Sequence, residues 1–545
     1  MTWLSATIPS LFAARPTRRA HVRGLLPLLA LVALGLLACN GDSSGPDEAD
    51  AATPAEYDLV EYELVETTGE CHPAGDGDSC ELVPTDNSLI VNVAGEWSSD
   101  DPVATVAVEY WGEDGNPLRS EPALLTDGTY EVTVARLRPE SAYEFRVIGL
   151  DAAGVEVAGP TGTFETGSLP PGLHRATFEV LEGAPTQDLT VMDFNPNEFE
   201  GEATFHGMIA IDGAGHIVWY AETGETNAIA RRENGNLVFV DYTFGLREIT
   251  PTGDEVANLP SECVPIVYHH EVELLPDGTV LTMGFDVRDT FGDEDRLQVG
   301  DTIVRWDPWT GASEELWSIH DVEDPAVNRT EASGMTEGFM WTGCDEDLPT
   351  EDWSHGNSVQ IAPDGSVLVS SRHLNQVHSL SSDFEEVNWR LGGEGSDFAF
   401  PDASDQFYHQ HSAIQLENGN VLLFDNGNTR PEEEGGEYSR ALELELDMET
   451  MTASKVWEYR PDPPIFSPCC ANVERLENGN TLMIFPGDIF DGEPCCRPQT
   501  IVEAGAAGET VWKLEARATG LEVVYRVYAA DSILGEAPVG AAAGG

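Results

Sequence analysis

Asn234-Gly235, Asp277-Gly278, Asp364-Gly365, Asn418-Gly419 and Asn478-Gly479 each separate two short apolar runs. Such dipeptides predict β-hairpins, because a type I′ turn needs φ > 0 at both central residues. The turns recur at spacings of 43 to 87 residues (278 minus 235, 365 minus 278), the mark of a propeller or array with variable insertions. A second segment recurs between them: a polar turn, then Gly, apolar residues and usually Trp. It lies near 212–219, 250–259, 307–317, 382–389, 447–457 and 503–512, and the second copy lacks its Trp. Six closing segments predict six blades over 172–535, each an inner hairpin plus an outer strand pair. Residues 521–528 are expected to pair with an N-terminal strand and close the ring. Helical periodicity is scarce, so the expected class is all-β with a six-bladed β-propeller.

The repeat also sorts side chains by face. Eight residues before each turn Gly stand Asn227, His270, Asn357, His411 and Ala471; ten before stand Glu225, Tyr268, His355, His409 and Cys469. Even offsets share one strand face, so His270, His355, His409 and His411 should point the same way. A two-residue hairpin would set Arg372 across from Asn357, and Asn426 across from His411. Inner strands carrying these residues would converge at the channel mouth and form an active site. His206, His216, His320, His373 and His378 fall outside that register and read as structural. His269 has the wrong parity unless a bulge intervenes.

The segments 269–271 (His-His-Glu), 352–358 (Asp-Trp-Ser-His-Gly-Asn-Ser), 370–373 (Ser-Ser-Arg-His) and 410–413 (Gln-His-Ser-Ala) resemble signature segments of the bacterial arylsulfate sulfotransferases. Segments 300–304 and 440–444 also resemble that family, and the likeness covers roughly 200–515. It implies a nucleotide-independent transfer of a sulfuryl group from an aryl sulfate donor to a phenolic acceptor through a sulfohistidine. His411 would be the nucleophile. His270, His355 and Arg372 would serve the sulfuryl oxygens and the phenol proton. Asn357, His409 and Asn426 would bind or orient substrate. The chemistry suits such residues: neutral imidazole is a competent nucleophile near pH 7, and a loose transition state spreads negative charge over peripheral oxygens. No cofactor or metal ligand is required by this reading. No Gly-rich phosphate loop opens a helix, which speaks against a nucleotide sulfate.

The net charge of −70, from 97 acidic and 27 basic residues, argues against nucleic acid as a partner. An anionic substrate must then be held by local groups such as Arg372. The acidic run Gly292-Asp293-Glu294-Asp295 is a candidate structural calcium loop, although its spacing is not that of an EF-hand.

Arg15, Arg18, Arg19 and Arg23 precede an apolar run ending in Leu36-Leu37-Ala38-Cys39. That pattern reads as a secretory signal over 1–39, and the last four residues resemble a bacterial lipoprotein box that would leave Cys39 lipidated. The expectation is an exported chain, lipid-anchored to a bacterial membrane and facing periplasm or exterior. Residues 40–79 read as an acidic flexible tether and 536–545 as a flexible tail. Eight further cysteines are an even number, as export favours: Cys71 is close enough to bridge Cys80, Cys263 is a candidate partner for Cys344, and Cys469-Cys470 for Cys495-Cys496. Between tether and repeats, 80–168 alternates as short strands. Residues 137–145 and 161–166 resemble a fibronectin type III module, a small β-sandwich suited to spacing or homodimer contact.

Two other classes compete. Asp307-Pro308-Trp309-Thr310-Gly311 followed by Trp317 resembles the blade-docking motif of quinoprotein dehydrogenases, but that fold generally has eight such blades. A non-catalytic propeller used for extracytoplasmic binding would keep the same residues without turnover.

Overall fold

The computed structural model describes residues 65–74, 79–98, 103–113, 115–196, 205–242, 245–260, 268–288, 297–328, 350–487, 498–517 and 522–534. The signal segment with Cys39, the 292–295 loop, Cys263, Cys344, Cys495, Cys496 and the 536–545 tail lie outside the described residues. The fold is all-β. Its helical content among the described residues is short 3₁₀ turns, and no helix there is long and apolar enough to cross a membrane.

Two antiparallel sheets come first. One holds Thr68–His72, Glu156–Glu165, Ala142–Leu150 and Thr105–Trp111, with short edge pieces; the other holds Glu81–Pro84, Val91–Glu96 and Thr129–Val134. Val93, Val106, Val108, Val132, Phe145 and Val147 alternate along these strands and fill one core. Thr68–His72 was expected within the tether. It is a strand instead, because its backbone pairs in register with Glu156–Glu165, and Cys71 is bonded to Cys80.

Six sheets follow among the described residues, antiparallel throughout except that Thr350–Asp352 joins the third in parallel. Sheet I holds Val527–Ala530, Leu189–Pro196, Gly207–Asp212 and Ile217–Glu222. Sheet II runs Thr226–Arg231, Leu237–Asp241, Gly245–Ile249, Glu255–Pro260. Sheet III runs Tyr268–Leu274, Val280–Arg288, Leu297–Asp307, Ala312–Ser318. Sheet IV runs Gly356–Ile361, Val367–Ser371, Gln376–Leu380, Val387–Leu391, and sheet V His411–Gln415, Val421–Asp425, Arg440–Asp447, Thr452–Tyr459. Sheet VI runs Val473–Arg475, Thr481–Phe485, Gln499–Ala504, Thr510–Arg517, and gains Thr177–Gly183 at its edge. Val527–Ala530 pairs with Leu189–Met192 of sheet I, so 521–528 does meet an N-terminal strand.

The turns differ from the expectation in one informative way. At Gly419 the Leu416 N–H bonds Asn420 O (2.8 Å) and the Gly419 N–H bonds Leu416 O (2.8 Å), which encloses three loop residues. The other four Asn/Asp-Gly turns repeat this pattern. Gly419 has φ 85°, whereas Asn418 is not left-handed; its side chain accepts from the Asn420 N–H at 3.0 Å. This is a type I turn followed by a left-handed Gly, favoured because Asn and Asp can close the turn with their own side chains. The extra residue shifts the cross-strand register by one.

The second repeated segment is the hairpin between the third and fourth strands of each sheet. Its Trp reaches the following sheet: Trp219 Nε1 donates to Pro251 O (2.8 Å), and Trp457 Nε1 to Gly505 O (3.3 Å). The quinoprotein-like 307–311 segment is one of these turns, and Trp309 is exposed. Neighbouring inner strands are stitched by side chains rather than by a backbone ladder. Ala413 N–H donates to Ser358 Oγ (3.1 Å), Gln415 N–H to Gln360 Oε1 (2.8 Å) and Val527 N–H to Asn472 Oδ1 (3.0 Å). Buried backbone groups that lack a ladder partner must be satisfied in some other way.

Candidate active site

Each inner strand of sheets II to V is irregular at the end remote from its turn. Register breaks lie between Thr226 and Ile229, His269 and Val272, Gly356 and Ser358, and His411 and Ile414. Left-handed backbone occurs at or beside them: His270 (φ 61°), His355 (φ 48°), His409 (φ 53°) and Ser412 (φ 53°). Such conformations cost about 1–3 kcal/mol each and persist where surrounding structure dictates them. Bulges re-aim side chains, and here they gather rings. His270 and His355 centroids are 5.1 Å apart, His355 and His373 stack at 4.7 Å, and His373 lies 6.0 Å from His409. Tyr525 joins the group, 5.6 Å from His270 and 6.1 Å from His411.

The tautomer of His411 follows from its partner. Asn426 Nδ2 donates to Ser467 O (2.8 Å) and Cys470 O (3.1 Å), which turns Asn426 Oδ1 toward His411 Nδ1 at 2.7 Å. An amide oxygen only accepts, so Nδ1 carries the proton and Nε2 keeps its lone pair. Burial, with Arg372 next in importance, holds His411 well below the usual imidazole range; Asn426 opposes this weakly. Burial does the same to His270, helped by His269, and to His409, helped by Arg372.

His355 is also held at Nδ1, which lies 2.5 Å from Asp352 Oδ2. Burial raises the Asp352 carboxyl, yet His355 and His373 outweigh it and hold the group below the usual carboxylate range. Arg372 is half-buried. Its Nη2 donates to Pro468 O (2.7 Å), while its buried Nε has no partner. The Arg372 N–H bonds His355 O at 3.0 Å, so its cross-strand neighbour is His355, not Asn357. The three-residue loop and the bulge at 357 together account for that two-residue offset. Asn357 Nδ2 donates to Gln410 O (2.8 Å) and thereby fixes the residue before His411. His409 is anchored through Asn428 O at 3.3 Å.

His270, His355, Arg372 and His411 thus share one electrostatic neighbourhood, with Asn357 and Asn426 holding the backbone and ring of the 410–411 segment. Two neighbours, His373 and Tyr525, were missed, and a third, His269, hung on a bulge. His373 was set aside as structural, yet it stacks on His355 and bonds Asp352 O (2.9 Å). His269 sits 2.7 Å from His270 through the two Nδ1 atoms, the bulge having overturned its parity. Tyr525 lies outside every hairpin register, so offset counting could not reach it. Asp352, His355 and His373 offer ligand atoms within 4.8 Å of one another, but the two Nδ1 atoms are committed to Asp352 oxygens.

Further along the same inner strands lies a cavity of about 490 Å³, lined by Glu271, Glu273, Gln360, Glu474 and Arg526 among others. Burial pushes the Glu273 and Glu474 carboxyls up to about 7. Arg526 divides this cavity from the rings: Nη1 bonds Glu271 at 2.9 Å and Nη2 bonds Asn357 O at 2.6 Å.

A family model described as Arylsulfotransferase (ASST) matches residues 184–526. The arylsulfate sulfotransferase AssT of Escherichia coli is 29% identical over 187 residues, 27% of this chain and 30% of that protein. The AssT of Lelliottia amnigena is 23% identical over 282 residues, 41% of this chain and 45% of that protein. The chain spans less than half the length of these relatives. A solved protein of unknown function from Bacteroides caccae is 15% identical, covering 63% of this chain and 98% of that one, at a TM-score of 0.38 that carries no argument.

Proposed function

The chain belongs to the arylsulfotransferase family, and from that premise we propose that it moves a sulfuryl group between phenols by way of His411. The observation that carries this reading is the His411–Asn426 bond at 2.7 Å, which commits Nδ1 and leaves Nε2 as the lone pair among the clustered side chains.

In the proposed cycle, His411 Nε2 attacks the sulfur of an aryl sulfate. The N–S bond forms and the ester O–S bond breaks. While neutral His270 faces the sulfuryl oxygens, the departing phenolate takes a proton from a protonated His355, paired with Asp352. The same imidazole then accepts the proton of an incoming phenol, whose oxygen attacks sulfur and releases His411. Asn426 keeps the Nδ1 proton throughout and stabilises the positive charge on the sulfated ring. Arg372 supplies a planar fork of donors to the sulfuryl oxygens, including the unpartnered Nε. Oxyanion donors of this kind are each worth about 2.7–4 kcal/mol of transition-state stabilisation. Asn357 positions the nucleophile through Gln410, and His409 borders the substrate.

We propose the scaffold to be a six-bladed propeller over 172–535, each blade one of sheets I to VI. Support comes from the stitched inner strands and from the terminal strands that complete the first and last sheets. The preceding sheets over 80–168 are proposed as a fibronectin type III-like module. Its Tyr143 hydroxyl accepts from the Arg138 N–H at 2.8 Å, in the manner of a tyrosine corner. Lipidation at Cys39 and an extracytoplasmic location remain part of this proposal, and a Cys39→Ala chain should be released from membranes.

The central test is the intact mass of the protein after rapid quenching with an aryl sulfate and no acceptor. An added sulfuryl group mapped to His411 under non-acidic conditions is expected. Turnover without that adduct, in single-turnover samples, means direct donor-to-acceptor transfer.

A further inference from the structure

We infer that Tyr525 is a catalytic residue that donates a hydrogen bond from its hydroxyl to the tetrahedral sulfur oxyanion bound beside His411, an inference that rests on the sulfuryl-transfer reading above. The hydroxyl is buried and has no hydrogen-bond partner within the protein. An unsatisfied buried donor costs about 1–3 kcal/mol, so its retention calls for a ligand. Its surroundings say which kind. The ring stands edge-on to both His270 and His411, interplanar angles 64° and 71°. Arg372, whose Nε is another unpartnered donor, lies close enough for mutual electrostatic influence. Two idle donors beside an imidazole with a free nitrogen form a receptor for an anion bearing several oxygens.

The position is rigidly held, as an oxyanion donor must be. The backbone N–H groups of Tyr525 and Arg526 both donate to the Asp193 carboxylate, at 2.8 Å for each residue's closest bond. The Arg526 guanidinium then lies 5.3 Å from the Tyr525 ring centroid while clamping Glu271 and Asn357. Burial raises the phenol well above its ordinary range, so it enters the cycle as a neutral donor. It keeps its proton throughout, and no covalent bond to it forms or breaks.

The test compares the full chain with Tyr525→Phe in two measurements. Calorimetric titration with 4-nitrobenzenesulfonate, whose C–S bond cannot be transferred, reads the hydrogen bond without turnover. Release of 4-nitrophenol from 4-nitrophenyl sulfate reads the chemical step. The Phe variant should bind the sulfonate about tenfold more weakly and release nitrophenol about 100-fold more slowly, with an unchanged melting temperature. Tyr525→Met, similar in bulk and equally without a donor, should behave alike and replaces the Phe variant if that one does not fold. Equal sulfonate affinity with and without the hydroxyl overturns the inference, whatever the activity. Tyr525-dependent sulfonate binding without nitrophenol release would instead sink the transfer reading and leave the donor assignment standing. A wild-type chain that neither binds the sulfonate nor releases nitrophenol overturns both.

Discussion

The two ends of the inner strands bury titratable groups in opposite senses. At one end, His270, His409 and His411 are kept neutral by burial and by neighbouring positive groups. A few residues along the inner strands, burial pushes Glu273 and Glu474 up to about 7, and Arg526 pairs with Glu271. Burial thus suppresses lone imidazolium cations at the first end and lone carboxylate anions at the second, while the charges that persist are paired. In a chain of net charge −70 this would let the proposed site house a sulfate ester, a monoanion: the carboxylates nearest it are silenced or, like Asp352, tied to a histidine. Their pH signatures must then oppose each other. The histidines' folded pKa values lie below the unfolded value of about 6.5, so stability falls as pH drops below it. The two glutamates titrate near 7 when folded and about 4.5 when unfolded, so their contribution is full below about 4.5 and is lost as pH rises through 7.

The comparison breaks most visibly at His411. His411→Ala should reduce transfer by about a thousandfold or more while leaving the urea midpoint nearly unchanged, because only the catalytic end is touched. Arg526→Met attacks the boundary between the regions. It strands Glu271 as an unpaired buried charge and should cost about 3–5 kcal/mol in urea unfolding; a loss under about 1 kcal/mol would mean that the boundary is not electrostatic. Arg372→Lys keeps the charge but loses the fork, and kcat should fall roughly 10- to 100-fold with little change in melting temperature. The mildest change is Glu273→Gln with Glu474→Gln. Activity should hold, and the stability lost between pH 5 and 8, up to roughly 3 kcal/mol per glutamate, should vanish. An unaltered slope would place that titration elsewhere.

Much of this arrangement was legible from hairpin counting. The five turns and the six closing segments all occur where the dipeptides and tryptophans stand, since turn chemistry is local. The structure does set His270, His355, Arg372 and His411 within electrostatic reach of one another, although for a reason less simple than strand parity. The loop has three residues, and the bulges supply the compensating shift. Neither is encoded in a count of alternations: a bulge is decided by what the strand packs against. That is why His373 was misjudged, and why Arg372 and Asn426 were given the wrong cross-strand neighbours: His411 stands opposite Phe424. Tyr525 was invisible for a different reason, as its position depends on Asp193 more than 300 residues away in sequence.

The completion of sheets I and VI by strands from opposite ends of the chain has a kinetic consequence. Leu189–Pro196 pairs locally with Gly207–Asp212 but gains its second neighbour only from Val527–Ala530, and Thr510–Arg517 must recruit Thr177–Gly183. Contacts of such long sequence separation form late and slowly. The strand that completes sheet I directly follows Tyr525 and Arg526. A chain folded without the 525–530 segment would therefore hold His411 in place but neither Tyr525 nor the Arg526 clamp, and under the proposed cycle it would stay silent until that segment docks.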